Sequence, residues 1–149
     1  MSYYNLYPIK SQPFASKILT NAISRHFKET SPPKPLVMML HGPTGVGKNY
    51  IANILAETMF QNGKHSRYVN YITSSYHFKG KIQLLLPVHF SLYPLGEENL
   101  KAHQESLQQM IESNSTICDR QLYIFDEARR FPNKLLDSLS VFIDPGRFQ

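Results

Sequence analysis

The sequence is poor in cysteine, in long apolar runs and in clustered charge. Its lone cysteine, Cys118, excludes an internal disulfide bond. The longest apolar stretch, residues 82–90, is far shorter than the roughly 20 residues that a membrane-spanning helix needs. The first ten residues lack the continuous apolar region of a secretory signal, and no such signal is visible in this chain.

The positive charge of the chain is spread along its length. The net charge is +5 and the pI is near 9.3, yet no basic cluster is longer than Arg129-Arg130. Basic side chains without a stripe or interleaved aromatics indicate a solvated surface, so we expect no nucleic-acid partner. The 149 residues, 42% hydrophobic and 18% charged, predict a single domain over residues 1–149 with its core in 12–144.

One loop carries the strongest chemical signal. Between an apolar run and a helical pattern lie Gly42, Pro43, Thr44, Gly45, Val46, Gly47, Lys48 and Asn49. The spacing Gly-x4-Gly-Lys is that of a phosphate-binding P-loop, in which backbone N–H groups and the helix N-terminus surround a phosphate. Lys48 would reach the β- and γ-phosphates. A glycine-rich turn without a ligand is the alternative, and the strand-before, helix-after context disfavours it.

Strands and helices alternate along the rest of the chain. Apolar periodicity predicts strands at 36–40, 67–73 and 121–125 and helices at 13–27, 48–60, 97–113 and 132–143. Such alternation is typical of an α/β fold with a parallel sheet and flanking helices. Residues 79–96 have no clear period and contain Pro87 and Pro94, so we interpret them as an extra loop.

A pair of carboxylates follows the last predicted strand. Asp126 and Glu127 come directly after Leu122 to Phe125, the form of a Walker B strand. A buried strand would deliver Asp126 beside the P-loop to hold Mg²⁺, and Glu127 would orient and activate the attacking water. The alternative is an acidic cap on the next helix. The pair also disfavours a small-molecule kinase, the third function class that a P-loop allows.

Asn49 departs from the usual pattern. P-loops normally place Ser or Thr here, because a hydroxyl ligates Mg²⁺. The carboxamide oxygen of Asn49 can also coordinate the ion, so we predict Asn49 and Asp126 as metal ligands and ATP with Mg²⁺ as the cofactors.

These motifs resemble the torsins, a branch of the AAA+ ATPases whose P-loop ends in Asn. The similarity spans residues 12–143. It includes His41 before the loop, the segment 34–37, the triplet 76–78, the stretch 114–118 with its glycosylation sequon, and the strand end at 124–127.

The resemblance implies a lumenal ATPase of the endoplasmic reticulum and nuclear envelope that acts, chaperone-like, on protein clients. It also implies a membrane-anchored activator that supplies an arginine finger, and a homo-oligomer as a further partner. In this P-loop NTPase fold the strand order is 5-1-4-3-2, and we expect the chain to be truncated before strands 4 and 5 and the helical lid. The predicted strands 36–40 and 121–125 would then face each other across a missing strand. The alternative to an ATPase is a truncated, non-hydrolysing nucleotide-binding or interaction module.

Overall fold

A computed structural model describes residues 13–73 and 100–144 of the protein, without the side chain of Asn133. They form two compact units, one of residues 13–66 with 142–144 and one of residues 67–73 with 100–141. The predicted extra loop 79–96 and the predicted helix start at residue 97 lie outside the described residues.

Two helices build the first unit. They are α1 (Pro13–Lys28) and α2 (Lys48–Met59), followed by a 3-10 turn at Gly63–His65. Both helices confirm the sequence prediction. Leu19 and Ile23 of α1 are buried against Ile51, Ile54 and Leu55 of α2, which makes a small core. Apolar side chains spaced by three and four residues face one side of a helix, so burying this stripe stabilises both helices.

The segment 36–40 corrects one prediction. It is not a hydrogen-bonded strand in the part of the chain that the structure describes. Burial still alternates along it: Leu36, Met38 and Leu40 pack on the core of the first unit, whereas Val37 and Met39 are exposed. A period of two is typical of extended backbone. The apolar pattern therefore predicted the conformation, but a strand also needs a neighbour to complete its hydrogen bonds.

A parallel pair of strands organises the second unit. Its elements are β1 (Val69–Thr73), α3 (Leu100–Ile117), β2 (Leu122–Asp126), a 3-10 turn (Ala128–Arg130) and α4 (Asn133–Asp137). α5 (Ser140–Ile143) follows, and its last two residues belong to the first unit. β1 and β2 are parallel, with Val69 opposite Leu122 and Thr73 opposite Asp126. The structure thus confirms an α/β arrangement with parallel strands, here with two strands among the described residues.

A cluster of amide side chains joins α3 to the sheet. Buried Asn70 donates to Gln121 Oε1 at 3.3 Å and accepts from Asn114 Nδ2 at 3.1 Å. Gln121 Nε2 donates in turn to the carbonyl oxygens of Asn114 and Cys118, at 3.0 and 3.3 Å. These bonds satisfy polar groups that would otherwise be buried at a cost. They also hold the C-terminal end of α3, which runs four residues beyond the predicted end at Ser113, against the start of β2.

The last predicted helix, 132–143, is instead two short helices. Ser138 Oγ bonds to the carbonyl of Leu135, and Ser140 Oγ bonds to that of Asp137. Side-chain hydroxyls that bond to nearby carbonyls compete with the backbone ladder, which explains the break. Two glutamines of α3 support this region, because Gln104 and Gln108 donate to the carbonyls of Lys134 and Ser138. None of the helices described is long and apolar enough to cross a membrane.

Acid should weaken the second unit through His103. Its side chain is only 5% exposed on α3, and burial lowers its pKa. Below about pH 6.5 the unfolded chain binds a proton that the folded chain resists, so stability falls as pH decreases through this range. We expect a lower melting temperature near pH 5.5 than near pH 7.5, measured by circular dichroism. His103→Gln should reduce this dependence, whereas His65→Gln, at an exposed site, should preserve it; equal curves for both variants would contradict the assignment.

Candidate functional site

The backbone of loop 42–49, here called the glycine loop, requires glycine at its three glycine positions. Gly42, Gly45 and Gly47 have φ angles of 148°, 86° and 92°, which L-amino acids with a side chain rarely adopt. A Cβ atom on Gly42 would also lie 3.0 Å from Val46 Cγ2. The sequence spacing and the observed conformation therefore agree, and the loop has the form of a backbone cradle for an anion.

Helix α2 begins immediately after the glycine loop. Gly47 is its N-cap residue, and the first intrahelical bond runs from Ile51 N–H to Gly47 O at 3.0 Å. The N–H groups of the first turn have no carbonyl partner within a helix, and the helix dipole adds positive potential there. Asn49, the second residue of α2, is exposed at this end. The glycine loop therefore leads directly into a helix N-terminus, the arrangement that binds phosphate in P-loops.

Lys48 contributes the positive charge of the loop. Its ammonium donates to the carbonyl oxygens of Gly42 and Pro43, at 2.9 and 2.8 Å. These bonds fold the side chain back over the loop instead of leaving it extended in solvent. An ammonium group has three donors, so a third remains for a phosphate oxygen. The predicted role of Lys48 is therefore consistent with its position.

The second predicted part of the site, the acidic turn at 126–127, lies in the second unit. Asp126 is the last residue of β2, and both of its carboxylate oxygens accept hydrogen bonds. Oδ1 accepts from the Glu127 backbone N–H at 2.8 Å, and Oδ2 accepts from the Tyr71 hydroxyl at 3.4 Å. Burial is the main cause that raises the pKa of Tyr71, and the nearby charge of Asp126 raises it further. The hydroxyl therefore stays protonated, and a donor, at neutral pH.

Glu127 adopts an uncommon backbone conformation. Its φ of 55° and ψ of 41° are left-handed, and it is the one non-glycine residue with positive φ among those described. Such a conformation costs on the order of 1–3 kcal/mol and is concentrated at functional sites. The turn ends β2 sharply at Glu127. Glu127 makes no side-chain capping hydrogen bond, and only a three-residue 3-10 turn follows it. The alternative interpretation, an acidic cap on the next helix, is therefore not supported.

Glu127 also forms an ion pair on its own chain. Its Oε2 lies 3.5 Å from Nη1 of Arg130, with side-chain exposures of 32% and 62%. An exposed pair of this kind contributes little stability, about 0–1 kcal/mol. Arg130 thus contacts Glu127, the residue predicted to activate water.

Sequence reasoning missed Tyr71. It lies on β1, 55 positions from its partner Asp126, and nothing local marks it. The signal is the register: Tyr71 pairs with Ile124, two residues before Asp126 on the same face of β2. Only a known strand alignment could have identified it.

The candidate magnesium ligands are a carboxylate in the second unit and an amide in the first. No group of three His, Cys, Asp or Glu side chains that could hold a metal occurs in the described ranges 13–73 and 100–144. Mg²⁺ is usually bound through one or two carboxylates together with substrate phosphates and water. Asp126 has ligand chemistry suited to such an ion, and so, separately, does the amide of Asn49.

A glycine loop leading into a helix, with parallel strands of which one ends in two carboxylates, is characteristic of the P-loop α/β proteins. Comparison with known proteins narrows this class. A family model described as Torsin matches residues 7–86. A "Torsin-like protein" from Caenorhabditis elegans is 32% identical over 133 residues, which cover 89% of this chain and 33% of that protein. The chain belongs to the torsin family, and it spans about a third of the length of this curated relative.

Proposed function

We propose that the chain is the nucleotide-binding part of a torsin-type AAA+ ATPase that binds ATP with Mg²⁺. The conformation of the glycine loop carries this proposal: its three glycines adopt φ angles that other residues avoid, and the Lys48 ammonium donates to the carbonyls of Gly42 and Pro43. In the proposed site the residues Gly42 to Lys48 hold the phosphates. Asn49 and Asp126 would each supply an oxygen ligand to Mg²⁺, and Glu127 would orient and activate the attacking water.

The wider cellular role is proposed from the family. We propose that the protein works in the lumen of the endoplasmic reticulum and nuclear envelope, in chaperone-like remodelling of protein clients. Its hydrolysis would depend on a membrane-anchored activator that supplies an arginine, because the γ-phosphoryl transition state needs a further cation. A homo-oligomer is the other partner proposed.

A second candidate is a nucleotide-binding module that does not hydrolyse ATP. The observation that favours it is the Glu127–Arg130 ion pair, because an oxygen of the carboxylate that would activate water already lies against an arginine. Titration of a fluorescent ATP analogue tests the binding that both candidates share. ATP turnover, with and without a candidate activator, separates them.

The substitution Asn49→Thr should preserve ATP binding. A threonine hydroxyl can replace the carboxamide oxygen as a Mg²⁺ ligand, as in most P-loops. We expect the Kd of a fluorescent ATP analogue with Mg²⁺ to change by less than about threefold, below the 1.4 kcal/mol that corresponds to a factor of ten.

The matched control is Asn49→Ala, which removes the ligand atom and should weaken binding only when Mg²⁺ is present. A tenfold loss for Asn49→Thr would show that the amide has a role other than metal coordination.

A further inference from the structure

The register of the two parallel strands places a tyrosine beside the proposed magnesium ligand. Tyr71 of β1 pairs with Ile124 of β2, and Thr73 pairs with Asp126. Side chains two residues apart along a strand lie on the same face, so Tyr71 and Asp126 are diagonal neighbours there. Long aromatic side chains span such diagonals. The contact is therefore built into the sheet and does not depend on a surface loop.

The two donors that meet Asp126 come from different directions. The Glu127 N–H, in the turn at the end of β2, donates to one carboxylate oxygen. The Tyr71 hydroxyl, on the neighbouring strand, donates to the other. A carboxylate held at both oxygens cannot rotate freely about its terminal bond. A carboxylate oxygen has two lone pairs, so a hydrogen bond to it does not by itself prevent it from ligating a cation.

We propose that Tyr71 is a positioning residue, whose hydroxyl orients the Asp126 carboxylate that holds nucleotide-bound Mg²⁺. This inference rests on the proposed function, since it assigns a supporting residue to the same metal site. Side chains that hydrogen-bond to a metal ligand fix its orientation, and their loss typically reduces metal affinity by about 10- to 100-fold. The 3.4 Å distance is long for an O–H···O bond, so the effect should lie near or below the lower end of that range.

Tyr123 provides a matched control on the adjacent strand. Its hydroxyl is buried and has no hydrogen-bond partner among the described residues. Burial raises the pKa of Tyr123, and the Asn114 side chain opposes this rise, although their geometry falls outside that of a hydrogen bond. Tyr71→Phe and Tyr123→Phe therefore remove the same atom from neighbouring strands. Only the first removal deprives Asp126 of a donor.

The experiment titrates Mg²⁺ into the 149-residue chain with a fixed concentration of a fluorescent ATP analogue. We expect Tyr71→Phe to bind the analogue like the parent in chelator, and to need about three- to tenfold more Mg²⁺ for half of the magnesium-dependent signal. Tyr123→Phe should titrate like the parent. In an Asp126→Asn background, Tyr71→Phe should cause no further shift, because the carboxylate that it orients is gone.

The other outcomes separate the two proposals. If Asp126→Asn shifts the Mg²⁺ requirement and Tyr71→Phe does not, the positioning role is wrong and the proposed function stands. If the parent binds no analogue, or Asp126→Asn changes nothing, the proposed site itself fails and the role of Tyr71 fails with it. If Tyr71→Phe melts well below the parent and binds poorly even in chelator, the hydroxyl serves the fold, and the positioning role is again overturned.

Discussion

Replacing Lys48 with alanine is expected to abolish ATP binding. The ammonium lies over the glycine loop, where it donates to the carbonyls of Gly42 and Pro43. No other cation of the glycine loop is available to meet the β- and γ-phosphates, since residues 42–49 contain a single basic side chain. A charge-assisted hydrogen bond contributes about 1.5–3 kcal/mol, which corresponds to a loss of roughly 10- to 150-fold. Lys48→Ala also removes the two hydrogen bonds of Lys48 within the loop, which should weaken ATP binding further.

Two additional variants make this test specific. Lys48→Met keeps the unbranched stem and removes only the charge, so it should lose binding nearly as completely as Lys48→Ala. Lys64→Ala removes an exposed lysine from the 3-10 turn of the same unit and should bind like the parent. The measurement is titration of a fluorescent ATP analogue, with melting curves to show that each variant folds. Unchanged affinity in Lys48→Met would refute the assignment of the glycine loop to phosphate binding.

The features that the sequence predicted correctly are local ones. Residue type and spacing within eight positions indicated the glycine loop, in which Gly42, Gly45 and Gly47 have positive φ angles. The helix after the loop follows from apolar residues three and four apart, of which Ile51, Ile54 and Leu55 are buried. Nothing distant in the chain is needed to specify either feature, and so a single sequence suffices.

The features that the sequence did not predict depend on pairing between distant segments. Residues 36–40 have a strand-like apolar pattern, yet pairing decides whether such a segment is a strand. The contact of Tyr71 with Asp126 depends on the register of β1 and β2, which apolar alternation alone leaves open by two residues in either direction. Likewise, the Walker B pattern indicates neither the left-handed backbone of Glu127 nor its ion pair with Arg130. Short apolar patterns identify elements but not their neighbours.

The isolated chain should hydrolyse ATP negligibly even if it binds the nucleotide. Asp126 and Glu127 can place Mg²⁺ and water, but charge on the transferring γ-phosphoryl group needs a further cation. An arginine finger increases the rate by about 10³–10⁵. Arg130 is a poor candidate for that role, because its guanidinium lies 3.5 Å from Glu127 on its own chain. The measurement is phosphate release, and we expect the chain alone to release phosphate at a rate near background.

Turnover should appear when a form extended to the length of the curated relative is mixed with its activator, and Glu127→Gln should remove it while ATP stays bound. The amide keeps the size of the side chain but cannot accept a proton from water, and general-base catalysis contributes about 10²–10⁴ in rate. Glu112→Gln, which makes the same change at an exposed position of α3, should leave turnover unchanged.

Glu127→Gln also removes the ion pair with Arg130, so Arg130→Ala serves as the second control. It removes the same ion pair and should retain turnover if Arg130 is not itself the finger. Ordinary AAA+ rates from the 149 residues alone would show that neither an activator nor further chain is required.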